Sequence, residues 1–118
     1  MKELAVEAKR LGRSIEIIQS NEEGVLVTAI QEARDKATSI LFNLAAYTHT
    51  SIALRDALAI FDGPKVEVHL SNNDSREKFR QVSLTAGVSD GSVVGFGADS
   101  FYLGLNAVHR LLRKREGA

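Results

Sequence analysis

Glu67 and His69 are the residues of this sequence whose types and spacing most directly suggest chemistry. They stand two positions apart in the β-branched run of residues 65–70, and alternation along a strand places positions i and i+2 on one face. A carboxylate beside an imidazole selects its tautomer and favours its protonated form, which suits a general acid. The competing interpretation is a surface or capping histidine at the end of a strand.

Other polar side chains follow a second predicted strand. Asn43 ends that strand and His49 stands in the loop after it, so both are expected to face the same crevice as His69. An Asx-turn explains Asn43 equally well. The neighbouring hydroxyl residues are better explained as caps of the next helix; they are Thr48, Thr50 and Ser51.

The segment after the third predicted strand could bind an anion. Ser71 and Asn72 follow that strand directly, and backbone N–H groups there could hold a carboxylate. Arg76 and Arg80 are four positions apart, so they share a face if residues 74–82 are helical. Such a pair could bind hydroxyls or a carboxylate, and a solvated charged face is the alternative.

Composition excludes several classes of protein. The chain has 118 residues, with 15 Lys+Arg against 15 Asp+Glu and no cysteine, which predicts a single domain over residues 1–118. The absence of a basic excess argues against a nucleic-acid partner. No apolar run is long enough to span a membrane, and there is neither a secretory signal nor a metal-binding motif. We therefore expect a soluble cytoplasmic protein.

Strand-like runs alternate with segments of helical period, which predicts parallel βαβ units and a doubly wound α/β sheet. Helices are predicted around these runs, including residues 2–11 and 100–115. Ligands of such sheets bind at the carboxyl ends of the strands. The four predicted strands are residues 14–19, 39–42, 65–70 and 92–96.

Several segments together resemble one family. Residues 43–58 read NLAAYTHTSIALRDAL and residues 66–80 read VEVHLSNNDSREKFR. They resemble the Asn-Pro-Gly-Ala-Tyr-Thr-His-Thr-Ser and Glu-Val-His-Leu-Ser-Asn segments of type II 3-dehydroquinate dehydratases. QSNEEG at residues 19–24 and GFG at residues 95–97 also match, so the resemblance covers essentially the whole chain.

The resemblance implies a flavodoxin-like α/β fold, with four strands in this chain because the family's first strand has no counterpart. It implies a lyase that eliminates water from 3-dehydroquinate, giving 3-dehydroshikimate in the shikimate or quinate pathway. The reaction passes through an enolate and needs no metal or cofactor. The family assembles as trimers and usually as dodecamers, so we expect a homo-oligomer with a small-molecule substrate.

The resemblance also implies a role for individual residues. His69 would protonate the departing hydroxyl, and Glu67 would orient His69. The backbone at Leu70 and Ser71 would grip the substrate carboxylate. The remaining expected contacts are Asn43, His49 and Arg80, which would hold the substrate, and Asp56, which would reach into a neighbouring subunit's site.

The sequence departs from the family pattern in its catalytic base. The family carries an N-terminal strand, a turn and a lid with an arginine and the tyrosine that acts as the base. Tyr47 and Tyr102 match other positions, so neither corresponds to that tyrosine. An acid without its base lacks a contribution of about 10²–10⁴-fold, and this chain by itself is expected to be very slow. The unpaired strands would close up, or another chain would supply the missing strand.

Two alternatives to a dehydratase remain, and further departures from the family pattern bear on the first. Leu44-Ala45 replaces the family's Pro-Gly, and Asn73 and Asp74 also differ from the family pattern. These changes favour a non-catalytic homologue that acts as a binding or assembly module. A different small-molecule enzyme that reuses His69 and Glu67 is the other alternative.

Overall fold

The computed structural model describes residues 2–117. Within that range, every helix falls short of the length or the apolar content that a bilayer crossing requires. The helices are α1 (Lys2–Arg10), α2 (Glu23–Lys36), α3 (Ile52–Ile60) and α4 (Asp99–Arg115), and the strands are β1 (Ile40–Phe42), β2 (Lys65–His69) and β3 (Gly91–Val94). Short 3-10 turns occupy Ala45–His49, Asn73–Ser75, Lys78–Arg80 and Ala86–Val88.

The sheet is parallel and has the order β1-β2-β3. Its central strand, β2, pairs Val66 with Leu41 of β1 and Val68 with Val93 of β3. Helices cover both faces of the sheet and bury the apolar side chains on each side, as a parallel sheet requires. The predicted doubly wound α/β architecture is therefore confirmed.

The number of strands was predicted wrongly. Residues 14–19 form no strand, and the described residues contain three strands rather than four. Ile17 and Ile18 in this segment are 40% and 49% exposed. In the flavodoxin-like strand order 2-1-3-4-5, residues 14–19 correspond to strand 2, which pairs only with strand 1. None of residues 2–117 occupies the place of strand 1. Without a neighbour the segment makes no ladder hydrogen bonds and stays irregular.

One face of the sheet packs against α1 and α4. The helix α4 approaches closely at Gly104, where a Cβ atom would lie 2.7 Å from Leu41 Cδ1 and 2.8 Å from Val68 Cγ2. Only glycine permits this distance between helix and sheet. The buried apolar residues of this layer are Leu4, Ala8, Val66, Leu105, Val108 and Leu112.

The other face packs against α2 and α3. Its buried cluster contains Ile30, Phe42, Leu44, Leu54, Ala57 and Leu58. Phe42 lies opposite Glu67 in the register between β1 and β2, so Glu67 and His69 point to this side of the sheet. The site side chains therefore share a layer with α3.

Residues 74–82, whose sequence has helical potential, do not form an α-helix. They contain two separate 3-10 turns. Phe79 and Val82 are 58% and 59% exposed, so the segment buries no apolar stripe that could stabilise a helix. The side-chain amide of Gln81 instead donates to the carbonyls of Asp74 (3.3 Å) and Arg76 (3.2 Å).

Candidate active site

The carboxyl ends of the strands meet at one edge of the sheet, where most of the predicted site residues lie. Asn43 follows β1 and His69 ends β2. The Gly95 amide donates to the His69 carbonyl (3.0 Å), and the Gly97 amide donates to the Leu70 carbonyl (2.9 Å). These backbone bonds fasten the end of β2 to the turn after β3, and this fixes the backbone that carries His69.

Glu67 and His69 form a buried pair, as their spacing predicted. The side chains of Glu67 and His69 are only 2% and 7% exposed, and the Oε2 and Nε2 atoms are 3.0 Å apart. The contact is an electrostatic one, because Nε2 makes no well-aligned hydrogen bond within residues 2–117. A carboxylate at this distance favours a proton on Nε2, which leaves Nδ1 as the nitrogen that can gain or lose a proton.

Three hydroxyl side chains surround the Glu67 carboxylate. Ser83 Oγ donates to both oxygens, at 2.9 Å and 3.0 Å, and Thr85 Oγ1 donates to Oε1. Ser92 Oγ lies 3.5 Å from Oε2. A buried carboxylate without such donors would be strongly disfavoured.

These contacts set the ionisation of Glu67. Burial pushes the pKa of the Glu67 carboxyl upward. The His69 imidazole and the hydroxyls of Thr85 and Ser83 push this pKa down, and they prevail, so it lies below its ordinary value. Glu67 is therefore a carboxylate at neutral pH despite its burial.

His49 lies beside this pair. Its ring is stacked on that of His69, with centroids 6.4 Å apart and an interplanar angle of 19°. His49 Nδ1 lies 2.6 Å from the Val82 carbonyl oxygen. Because a carbonyl only accepts, Nδ1 carries the proton, and Nε2 of the neutral ring is an acceptor.

The two predicted arginines lie at the exposed edge of the candidate site. Arg80 donates from Nε to Glu77 Oε2 (2.7 Å) and lies 5.0 Å from the centre of the Phe79 ring. That ring in turn meets the His49 ring edge-on. Arg76 points instead towards Ser71 Oγ, 3.4 Å away. Only Arg80 is therefore linked to the two histidines, through Phe79.

Comparison with known proteins decides the family. A family model described as dehydroquinase class II matches residues 1–109. The chain belongs to this family. Its dehydroquinase fold is close to that of a type II dehydroquinase from Propionibacterium acnes, with a TM-score of 0.88 and 32% identity, over 92% of this chain and 80% of the other. The predicted flavodoxin-like fold class is thereby confirmed.

Relatives of this chain carry the name of an activity. A 3-dehydroquinate dehydratase of Trichodesmium erythraeum is 49% identical over 112 residues, which are 95% of this chain and 75% of that protein. A 3-dehydroquinate dehydratase of Geotalea daltonii is 54% identical over 104 residues, which are 88% of this chain and 72% of that protein. The chain thus spans about three quarters of the relatives it matches.

Asn43 forms the Asx-turn that its sequence position allowed. Its Oδ1 accepts from the Ala45 amide (2.9 Å), and within residues 2–117 its Nδ2 makes no hydrogen bond. Beside it an open cleft of about 460 Å³ is lined by residues 18–21, 26 and 43–47. Neither His49 nor His69 lines this cleft, so the Glu67–His69 pair, rather than the cleft, defines the candidate site.

The other predicted residues are less closely connected to the pair. Asp56 lies on the exposed side of α3 and bonds to Arg55 (2.9 Å). Ser51 caps α3 by accepting from the Leu54 amide (3.0 Å), as predicted. The Tyr47 hydroxyl donates to the Asn21 carbonyl (2.8 Å).

Sequence reasoning missed the hydroxyls around Glu67. Ser92 lies opposite Glu67 in the register of β2 and β3, which a correct strand alignment would have revealed. Ser83 and Thr85 come from an irregular loop, and no local pattern marks them. Among the described residues no cluster of three or more His, Cys, Asp or Glu could hold a metal ion.

Proposed function

We propose that this class II dehydroquinase dehydrates 3-dehydroquinate to 3-dehydroshikimate, with His69 as the general acid and Glu67 as its positioning partner. The buried Glu67–His69 pair carries the proposal. It stands at the carboxyl end of β2 in a chain about half identical to 3-dehydroquinate dehydratases.

The chemistry of the elimination suits this pair. A proton leaves the carbon beside the ketone and gives an enolate. The C–O bond of the departing hydroxyl then breaks as His69 Nδ1 supplies a proton, so that water leaves and a conjugated double bond forms. The overall reaction involves no oxidation or reduction, so the proposal needs no redox cofactor. General acid catalysis of this kind contributes about 10²–10⁴-fold.

Substrate contacts are proposed for polar groups at the carboxyl edge of the sheet. His49 Nε2 is an acceptor for a ring hydroxyl, and Asn43 Nδ2 is a donor. Arg80 supplies a cation at the rim, and backbone groups at Leu70 and Ser71 are proposed to hold the carboxylate. Stacking of the two histidine rings supports the role of His49, because it places that ring next to the general acid.

The first step needs a base, and neither tyrosine is placed to provide it. The Tyr47 hydroxyl is engaged with the Asn21 carbonyl. Tyr102 packs in the cluster of α1 and α4, on the opposite face of the sheet from Glu67. We therefore expect proton abstraction to limit turnover by this chain, while binding in the His69 site is retained.

We also propose a homo-oligomer built from trimers, working in the cytoplasm, with Asp56 reaching into a neighbouring subunit's site. Ile52 and Ile60 on the same helix are 65% and 58% exposed, which favours burial against another copy. Asp56→Asn should lower turnover without changing the fold, whereas Asp35→Asn, on the exposed side of α2, should have no effect. Sedimentation velocity of the wild type and both variants tests the assembly, and a wild-type monomer would refute it.

An ultraviolet assay of the conjugated enone product tests the proposed activity. Wild-type protein, His69→Ala and His109→Ala are assayed at high protein concentration. We expect His69→Ala to lose about 10²-fold or more of the wild-type turnover. His109→Ala, which changes a histidine on α4 instead, should keep it.

Binding of 3-dehydroquinate, measured by calorimetry, separates the alternatives. Binding without turnover that persists when an N-terminal segment with the family's strand and lid is added would mean a non-catalytic binding module. If neither binding nor turnover is found, the proposed substrate is wrong.

A further inference from the structure

We infer that residues 82–85 form a positioning segment, which fixes the tautomer of His49 and the orientation of the Glu67 carboxylate that faces His69. This inference rests on the proposed function for its meaning in catalysis. The contacts alternate along the segment: the backbone of Val82 and Leu84 holds one histidine, and the side chains of Ser83 and Thr85 hold the carboxylate behind the other.

The backbone contacts fix His49. The Val82 carbonyl accepts from His49 Nδ1 (2.6 Å), which selects the tautomer with an acceptor at Nε2. Two positions on, the Leu84 amide donates to the carbonyl of Thr48 (2.8 Å). These bonds hold the turn that carries His49 at two adjacent residues.

The side-chain contacts fix Glu67. Ser83 Oγ donates to both carboxylate oxygens, at 2.9 Å and 3.0 Å, and Thr85 Oγ1 donates to Oε1. Thr85 is fully buried, and Ser83 Oγ itself accepts from the Ala86 amide (3.0 Å). The carboxylate that faces His69 Nε2 is therefore held by donors that do not touch the reacting atoms.

Few other charged groups compete for this carboxylate. β1 presents Phe42 opposite it, and β3 presents Ser92. Lys65 shares its strand face, but the Lys65 ammonium is engaged with the carbonyls of Leu58 and Phe61. The ionisable and charged groups around the site are His69, His49, Lys65 and, beyond Phe79, Arg80 with its partner Glu77.

The hydroxyls of Ser83 and Thr85 should therefore act through Glu67 and His69, without contacting substrate. Removing donors from an ionised carboxylate makes protonation easier, so the carboxyl should titrate at higher pH. Loss of orientation should reduce kcat, while KM changes little because no substrate contact is lost.

The test compares Thr85→Val, Ser83→Ala and the double variant with Thr85→Ser, which keeps the hydroxyl. Carbon-13 NMR of the Glu67 carboxyl follows its titration without turnover. We expect the Glu67 midpoint to rise by about one pH unit in Thr85→Val and further in the double variant. Thr85→Ser should return it towards the wild-type value. In the turnover assay, kcat should fall about 10–100-fold with KM changed less than about twofold.

Ser51→Ala controls for a general loss of stability, because it removes a buried helix-capping hydroxyl outside the segment. It should lower Tm and leave the Glu67 midpoint unchanged. An unchanged midpoint in folded Thr85→Val or Ser83→Ala overturns the inference. Absence of turnover in the wild type would refute the proposed function instead, and the titration would still decide the role of the segment.

Discussion

At the scale of single residues, Ala45 is the position where the backbone is most strained. It has a φ of 51° and, within residues 2–117, is the one residue other than glycine with a positive φ. A non-glycine residue in this region costs about 1–3 kcal/mol. The strain sits directly after Asn43 and Leu44, at the place where the family pattern has Pro-Gly, so it borders the candidate site.

Ala45→Gly should therefore stabilise the protein. Glycine adopts this conformation without a steric cost, but it also gains freedom in the unfolded chain. We expect a net increase of about 0.5–1 kcal/mol in the free energy of unfolding, measured by urea denaturation. Ala46→Gly is the matched control and should lower stability, because Ala46 lies within the 3-10 turn with ordinary φ. Destabilisation by both changes would contradict the account.

At the scale of secondary-structure elements, the distance between α4 and the sheet decides how β2 is held. Gly104 brings α4 directly onto Leu41 and Val68, and Val68 immediately precedes His69. Glu67 and His69, which flank Val68 in β2, point to the opposite face of the sheet. A change in the position of α4 is therefore transmitted to the strand that carries both residues of the buried pair.

Gly104→Ala should destabilise the protein, although alanine has the higher helix propensity. The added Cβ atom would lie 2.7 Å from Leu41 Cδ1, and overpacking of this kind costs about 1–3 kcal/mol. Gly24→Ala, in α2, is the control, because nothing lies within 4 Å of its added Cβ. It should raise the free energy of unfolding by about 0.5–1 kcal/mol. Thermal unfolding of the two variants should give opposite shifts of Tm, and shifts of the same sign would refute this packing argument.

Two elements also separate what was predictable from what was not. The sequence predicted α1 and α4 from their helical apolar period and the three observed strands from short strand-like runs. Both signals are local in sequence. The segment at residues 14–19 has the same β-branched pattern, but a strand exists only if another strand pairs with it. Residues 74–82 have helical potential, but they bury no apolar stripe. In both segments local propensity is not supported by a packing partner, so neither forms the regular element that its sequence allows.

At the scale of the whole molecule, stability depends on pH through the buried carboxylate. The pKa of Glu67 is lower in the folded protein than its ordinary value. Such a group adds stability above its unfolded pKa of about 4.3. That contribution disappears as the pH falls through the lower, folded pKa.

Glu67→Gln should therefore destabilise the protein near neutral pH and much less in acid. We expect the gap in unfolding free energy between wild type and variant to narrow progressively below about pH 4.3. Urea denaturation between pH 7 and pH 3 at constant ionic strength measures it. Glu32→Gln removes an exposed partner of Lys36 on α2 and should change stability by less than about 1 kcal/mol at any pH. A gap for Glu67→Gln that is constant with pH would contradict the assigned ionisation.

The sequence by itself determined the α/β class, the edge of the sheet that carries the site, and the pairing of Glu67 with His69. Each of these depends on local periodicity or on residues two positions apart. Only the tertiary structure decided that Ser83 and Thr85 hold the carboxylate, that Val82 selects the His49 tautomer, and that residues 14–19 remain unpaired. Those contacts join segments distant in sequence, and their formation depends on how loops pack and on which strands find neighbours.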